Sequence, residues 1–141
     1  MPWKITFDEQ TRVVETTYTG AIGPAELGEV ALATIAAGRA HAAKLYLGDC
    51  LTLKHAVTLF NIYDLINFYD SLSLERDMRE AILLPLAPAA GDALKFYETT
   101  AKNRGYNVRV FNNRAEALVW LLENQASASS TEGRTPSVVE A

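Results

Sequence analysis

Five side chains able to do chemistry crowd one short stretch: Asp49, Cys50, Thr52, Lys54 and His55. A cysteine becomes a nucleophile when its thiolate lies near an imidazole that a third group orients, so Asp49, Cys50 and His55 form a candidate catalytic set. Their spacing in the chain leaves the approach of thiol and imidazole open. Isolated Cys and His residues are common in ordinary loops and cores, so ligand or partner binding ranks above catalysis here. Thr58, Phe60 and Tyr63 follow closely and extend the candidate binding surface into the next element.

Other chemistries find less support. With one cysteine and two histidines (His41 and His55), neither an internal disulfide nor a structural Cys/His zinc site is expected. The chain has no Gly-rich phosphate loop, no G-x-G-x-x-G, no G-x-S-x-G and no His-Glu-x-x-His, and no cofactor is expected. Asp8-Glu9 falls in a predicted turn, where solvation explains the pair better than acid–base work. Lys102, Arg104, Arg109 and Arg114 form a basic stretch with no acidic residue between Glu98 and Glu116. It reads as a solvated face rather than a phosphate patch, because 13 basic residues against 17 acidic ones give a net charge of −4. That balance argues against a nucleic-acid surface.

The elements that position these residues can be read from periodicity. The 141 residues, 49% apolar and 21% charged, suit one soluble domain. Trp3, Ile5 and Phe7 alternate with polar residues, and Val14, Thr16 and Tyr18 do so again after a turn, which predicts a β-hairpin. Pro24 opens a helix whose apolar face carries Leu27, Val30, Ala31 and Ile35. A short strand is expected over Lys44–Asp49, so the stretch after Asp49 becomes a loop at a strand's carboxyl end, where open α/β sheets bind ligands. A helix over Val57–Ser71 is apolar around much of its circumference, with Phe60, Tyr63, Phe68 and Tyr69 serving a core, a pocket or a dimer face. A buried strand over Ala81–Leu86, a helix over Asp92–Asn103, a strand over Asn107–Phe111 and a helix capped by Asn113 complete the chain. Gly105 is placed to close the third helix in a left-handed conformation. The expected fold class is α/β, a mixed sheet covered by helices in the order β-β-α-β-α-β-α-β-α over residues 1–124. Residues 125–141, with six Ser or Thr and no aromatic residue, read as a flexible tail.

The order and several local sequences resemble the SpoIIAA-like proteins of the STAS superfamily, related to anti-sigma factor antagonists. The resemblance rests on Tyr18-Thr19-Gly20, Leu45-Tyr46-Leu47-Gly48-Asp49, Ile62-Tyr63-Asp64-Leu65, Phe96-Tyr97-Glu98, Asn103-Arg104-Gly105-Tyr106, Val110-Phe111 and Glu116-Ala117-Leu118-Val119-Trp120-Leu121. It implies a bacterial, non-enzymatic regulatory module. In the antagonists a serine or threonine just before the second helix is phosphorylated, where added charge alters docking. Here the Asp-Ser-Ser-Gly of that site is absent, Lys54-His55-Ala56-Val57-Thr58 stands in its place, and Thr52 and Thr58 are the nearby hydroxyls.

The leading expectation is therefore a module that recognises a protein partner through Asp49, Cys50, Thr52, Lys54, His55, Thr58, Phe60 and Tyr63, with a homodimer through the second helix as its companion. A carrier of an apolar small molecule or lipid, similar in fold to SEC14-type domains, is the alternative. It requires a cavity of about 300–1,000 Å³ between that helix and the sheet. An enzyme using Asp49, Cys50 and His55 ranks last. The opening Met1-Pro2-Trp3-Lys4-Ile5-Thr6 lacks the order of a signal peptide, and no apolar stretch is long enough to span a bilayer, so a cytoplasmic location is expected.

Overall fold

The computed structural model describes residues 3–55, 59–86 and 88–123; the expected tail lies outside them. The hairpin forms as the alternation predicts, β1 (Trp3–Asp8) pairing antiparallel with β2 (Val13–Ala21). The Asp8 side chain closes its turn by accepting from the backbone N–H groups of Gln10 and Thr11. Helix α1 (Pro24–Ala40) starts where Pro24 needs no hydrogen-bond acceptor, and the Glu26 carboxylate accepts from the Gly23 N–H at 2.9 Å.

Strand β3 (Leu45–His55) follows, then α2 (Leu59–Ser71), β4 (Arg79–Leu83), α3 (Pro88–Asn103), β5 (Asn107–Phe111) and α4 (Arg114–Leu122). The five strands lie in sequence order, with β2 through β5 mutually parallel. The element order is the expected one. The bounds differ most at β3, which runs to His55, so Asp49 to His55 are strand rather than loop. Its outer half keeps pairing with β2, across bulges near Tyr18 and Gly20, and this pairing holds the segment extended.

Alternation gives the sheet two different faces. Cys50, Ile82 and Val108 pack beneath α1, α2 and α3 with Ile62, Ile66 and Tyr97. Leu45, Leu47, Ala81 and Leu83 face the other way and are covered by Ala117 and Leu121 of α4. Arg79 ties α4 to the sheet: its guanidinium donates to the Trp120 carbonyl at 2.9 Å and the Glu123 carbonyl at 2.8 Å, satisfying groups that a helix end leaves open. The Asn113 side chain caps the other end, accepting from the Glu116 N–H at 3.0 Å. Gly105 has φ +86°, the left-handed turn expected after α3. No helix among the described residues is long and apolar enough to cross a membrane.

Candidate functional site

The residues singled out in the sequence do not converge. Strand alternation sends Asp49 toward α4, where it lies 3.8 Å from Arg114, and Cys50 into the three-helix core. Burial, reinforced by the charges of Glu80 and Asp49, pushes the Cys50 thiol far above its ordinary range and keeps it protonated. The Asp49 and Cys50 arm of the catalytic set is thus split across the sheet. Thr52 sits within β3, its hydroxyl donating to the Tyr18 carbonyl at 3.1 Å. Lys54 is exposed. Tyr63 is exposed on α2 with the Arg104 guanidinium 5.5 Å from its ring centre. Thr58 and the side chains of His55 and Phe60 lie outside the described residues.

The basic stretch disperses as well. Arg104 pairs with Asp70 and Asn67, Arg114 with Glu15, and Lys102 with Glu98. Asp70 collects the Tyr106 hydroxyl and both Arg104 and Arg76, and the Tyr106 bond leads in holding its carboxyl below the usual range.

A different cluster does converge. Five of the chain's six tyrosines, Tyr18, Tyr46, Tyr69, Tyr97 and Tyr106, line one half-open cavity between the sheet and α1, α2 and α3. Its free volume is about 80 Å³. A second chamber of about 70 Å³ shares Tyr18, Tyr69, Tyr97 and Glu80 with it and reaches Cys50. Toward the amino ends of β3 and β4 a wider groove of about 390 Å³ shares Ile35, Tyr46, Leu74 and Met78 with the first chamber. The chambers are smaller than the several hundred Å³ expected of an apolar small-molecule or lipid carrier, tyrosine rings taking up space under α2. Each has room for more than a single water.

Among the described residues, Glu80 is the only acidic side chain lining either chamber. It accepts a 2.5 Å hydrogen bond from the Tyr97 hydroxyl, which lies 3.0 Å from the Tyr69 hydroxyl. Desolvation raises the Glu80 carboxyl from 4.5 to about 6, the Tyr97 bond opposing it only in part. Burial also pushes the Tyr18, Tyr69 and Tyr97 hydroxyls well above their ordinary value, so the walls stay neutral. The arrangement offers an apolar aromatic lining, hydroxyl donors and one carboxyl that changes charge near neutrality. Among the described residues no group of three or more His, Cys, Asp and Glu could hold a metal ion.

Glu80 escaped the sequence reading because the fourth strand was expected to begin at Ala81, leaving it in a loop. Begun at Arg79, the same alternation sets Arg79, Ala81 and Leu83 on the α4 face and Glu80 and Ile82 on the other. That register was the available signal.

No protein-family model and no curated protein matches this sequence. Among solved structures the chain is similar to an uncharacterised protein from Shewanella loihica PV-4, described as a DUF3478 family member with a SpoIIAA-like fold. The match has a TM-score of 0.54 at 15% identity and covers 84% of this chain and 91% of that one. The chain has a SpoIIAA-like fold.

Proposed function

We propose that this protein is a non-enzymatic binding module that holds a compact small molecule, well below drug size, in the tyrosine-lined cavity around Glu80. The observation that carries this reading is the convergence of five tyrosines and a single carboxyl on one half-open space. A well-formed apolar pocket with a few polar groups is the usual form of a ligand site. The protonated Cys50 thiol and the opposed directions of Cys50 and Asp49 favour binding over nucleophilic catalysis. Native mass spectrometry of protein purified from its own host should show a stoichiometric mass increment. Ala31→Leu, which enlarges a wall residue of the first chamber, should abolish that increment while the chain stays folded. An unaltered mass in the unmodified protein would remove the proposal.

A protein partner at the carboxyl end of the sheet is the second reading. There Leu86 is 87% exposed and its N–H reaches the Leu51 carbonyl at 3.4 Å, placing two exposed leucines beside Thr52 and Lys54. A contact surface needs exposed apolar groups gathered at one place, and this edge supplies two. Leu86→Glu should prevent recovery of a partner from host lysate and leave the cavity ligand in place. Equal recovery with Leu86→Glu would count against this surface.

A further inference from the structure

We infer that the molecule taken by the Glu80 cavity is a small organic cation, an ammonium group on a compact apolar body, held between the Glu80 carboxylate and the tyrosine rings. The inference rests on the cavity being a binding site and names the chemical class that site selects.

Three observations carry it. First, Glu80 has a hydrogen-bond donor in Tyr97 but forms no ion pair among the described residues. Second, the neighbouring Arg79 borders the cavity but sends its guanidinium to the other side of the sheet, where carbonyls at the end of α4 engage it. The nearest cation in sequence is thus committed elsewhere. Third, the walls are aromatic. Electron-rich rings around a carboxylate form the kind of cage that receives ammonium groups, because ring quadrupoles and the anion attract the same charge. An acidic ligand would meet Glu80 with like charge, and a neutral one would leave the part-buried carboxylate without a counter-charge. At the outer groove Lys44 is already paired with Glu75 and Asp77, and Arg39, which lines the same groove, forms no ion pair with Glu80.

The groups facing Glu80 make its charge state readable. Tyr18 comes from β2, Tyr46 and Cys50 from β3, Tyr69 from α2, Tyr97 from α3 and Tyr106 from the turn before β5; all are raised above their ordinary values and stay neutral near pH 7. The cavity wall formed by α1 has no ionisable side chain. Among the described residues lining the cavity, Glu80 is the carboxyl that changes charge around pH 6.

The test uses the full chain, with choline as a cation of fixed charge and dimethylbutanol as its neutral carbon isostere. Calorimetric titration at neutral pH should show choline binding about tenfold or more tighter than the isostere. Its affinity should rise about tenfold between roughly pH 5 and pH 7 as Glu80 ionises. Glu80→Gln, which keeps an acceptor for Tyr97, should weaken choline by a similar factor and leave the isostere unchanged. Saturation transfer from tyrosine ring protons to the choline methyl groups locates the ligand without any substitution. Equal binding of both probes would overturn the cation inference and leave the cavity a neutral-ligand site. No binding of either probe, with the native protein showing no bound mass, would overturn both readings.

Discussion

At neutral pH most Glu80 carboxyls are ionised in surroundings that favour the neutral form, and this sets a stability profile with an unusual slope. The folded chain holds the proton to about 6, against 4.5 as the ordinary value, so the folded state binds it more tightly than the unfolded one. Its stabilising contribution is fully present below about pH 4.5 and is lost as pH rises through about 6, amounting to roughly 2 kcal/mol. Asp70, whose carboxyl is lowered, acts with the opposite sign: its contribution is present above its ordinary value and disappears in acid. Glu80→Gln should therefore raise the melting midpoint at pH 7.5 by roughly 5 °C and match the parent near pH 4. Thermal melts across that range check this, and a midpoint unchanged or lowered at pH 7.5 would count against an ionised Glu80 in the cavity. At this scale the sequence was least legible. Tyr69 was read onto the broad apolar face of its helix, but nothing in chain spacing announces that residues 18, 69, 80 and 97 meet, since each belongs to a different element.

At the scale of elements, α1 has a tight point where its last turns cross β3. Gly38 is buried, and a methyl group added there would lie 1.9 Å from the Tyr46 hydroxyl and 2.7 Å from its ring. In an open helix Gly→Ala gains about 1 kcal/mol. Here Tyr46 is buried against Val14 and Ala43 and lines the cavity, so its ring cannot retreat freely. Gly38→Ala should instead cost about 1–3 kcal/mol, measured by chemical denaturation. A stabilised variant would mean that Tyr46 is free to swing aside. Element types and order were legible because the period of two was clean in the hairpin and Pro24 marked the start of α1. The length of β3 was not: Asp49, Thr52 and Lys54 look like loop residues, yet they occupy strand positions with solvent-accessible edges while Cys50 and Leu53 go inward.

For the whole molecule, the unequal cover of the sheet decides what each substitution can undo. One face is held by three helices, whereas the other is closed over β3 and β4 by α4 alone. Leu121 is fully buried at that contact. Leu121→Ala should cost about 2–5 kcal/mol. Hydrogen exchange should show protection falling first in α4, with α1 and the hairpin affected only through global stability. Uniform loss of protection at every amide would show instead that the two faces open as one cooperative unit. The mixed architecture itself could be read from the sequence, since a hairpin followed by alternating helices and strands admits few compact arrangements. Which helices share a face could not, because Leu118 and Leu121 form the same kind of apolar stripe as those on α1.

The chain's two tryptophans fall on opposite sides of this division: Trp3 packs against the three-helix core and Trp120 against the α4 core. The protein thus carries two intrinsic fluorophores, one for each side of the sheet. Trp3→Phe leaves emission that reports the α4 side, and Trp120→Phe leaves emission that reports the cavity side. Comparing these two optical channels during rapid mixing with denaturant would time the release of each layer separately, without an added dye.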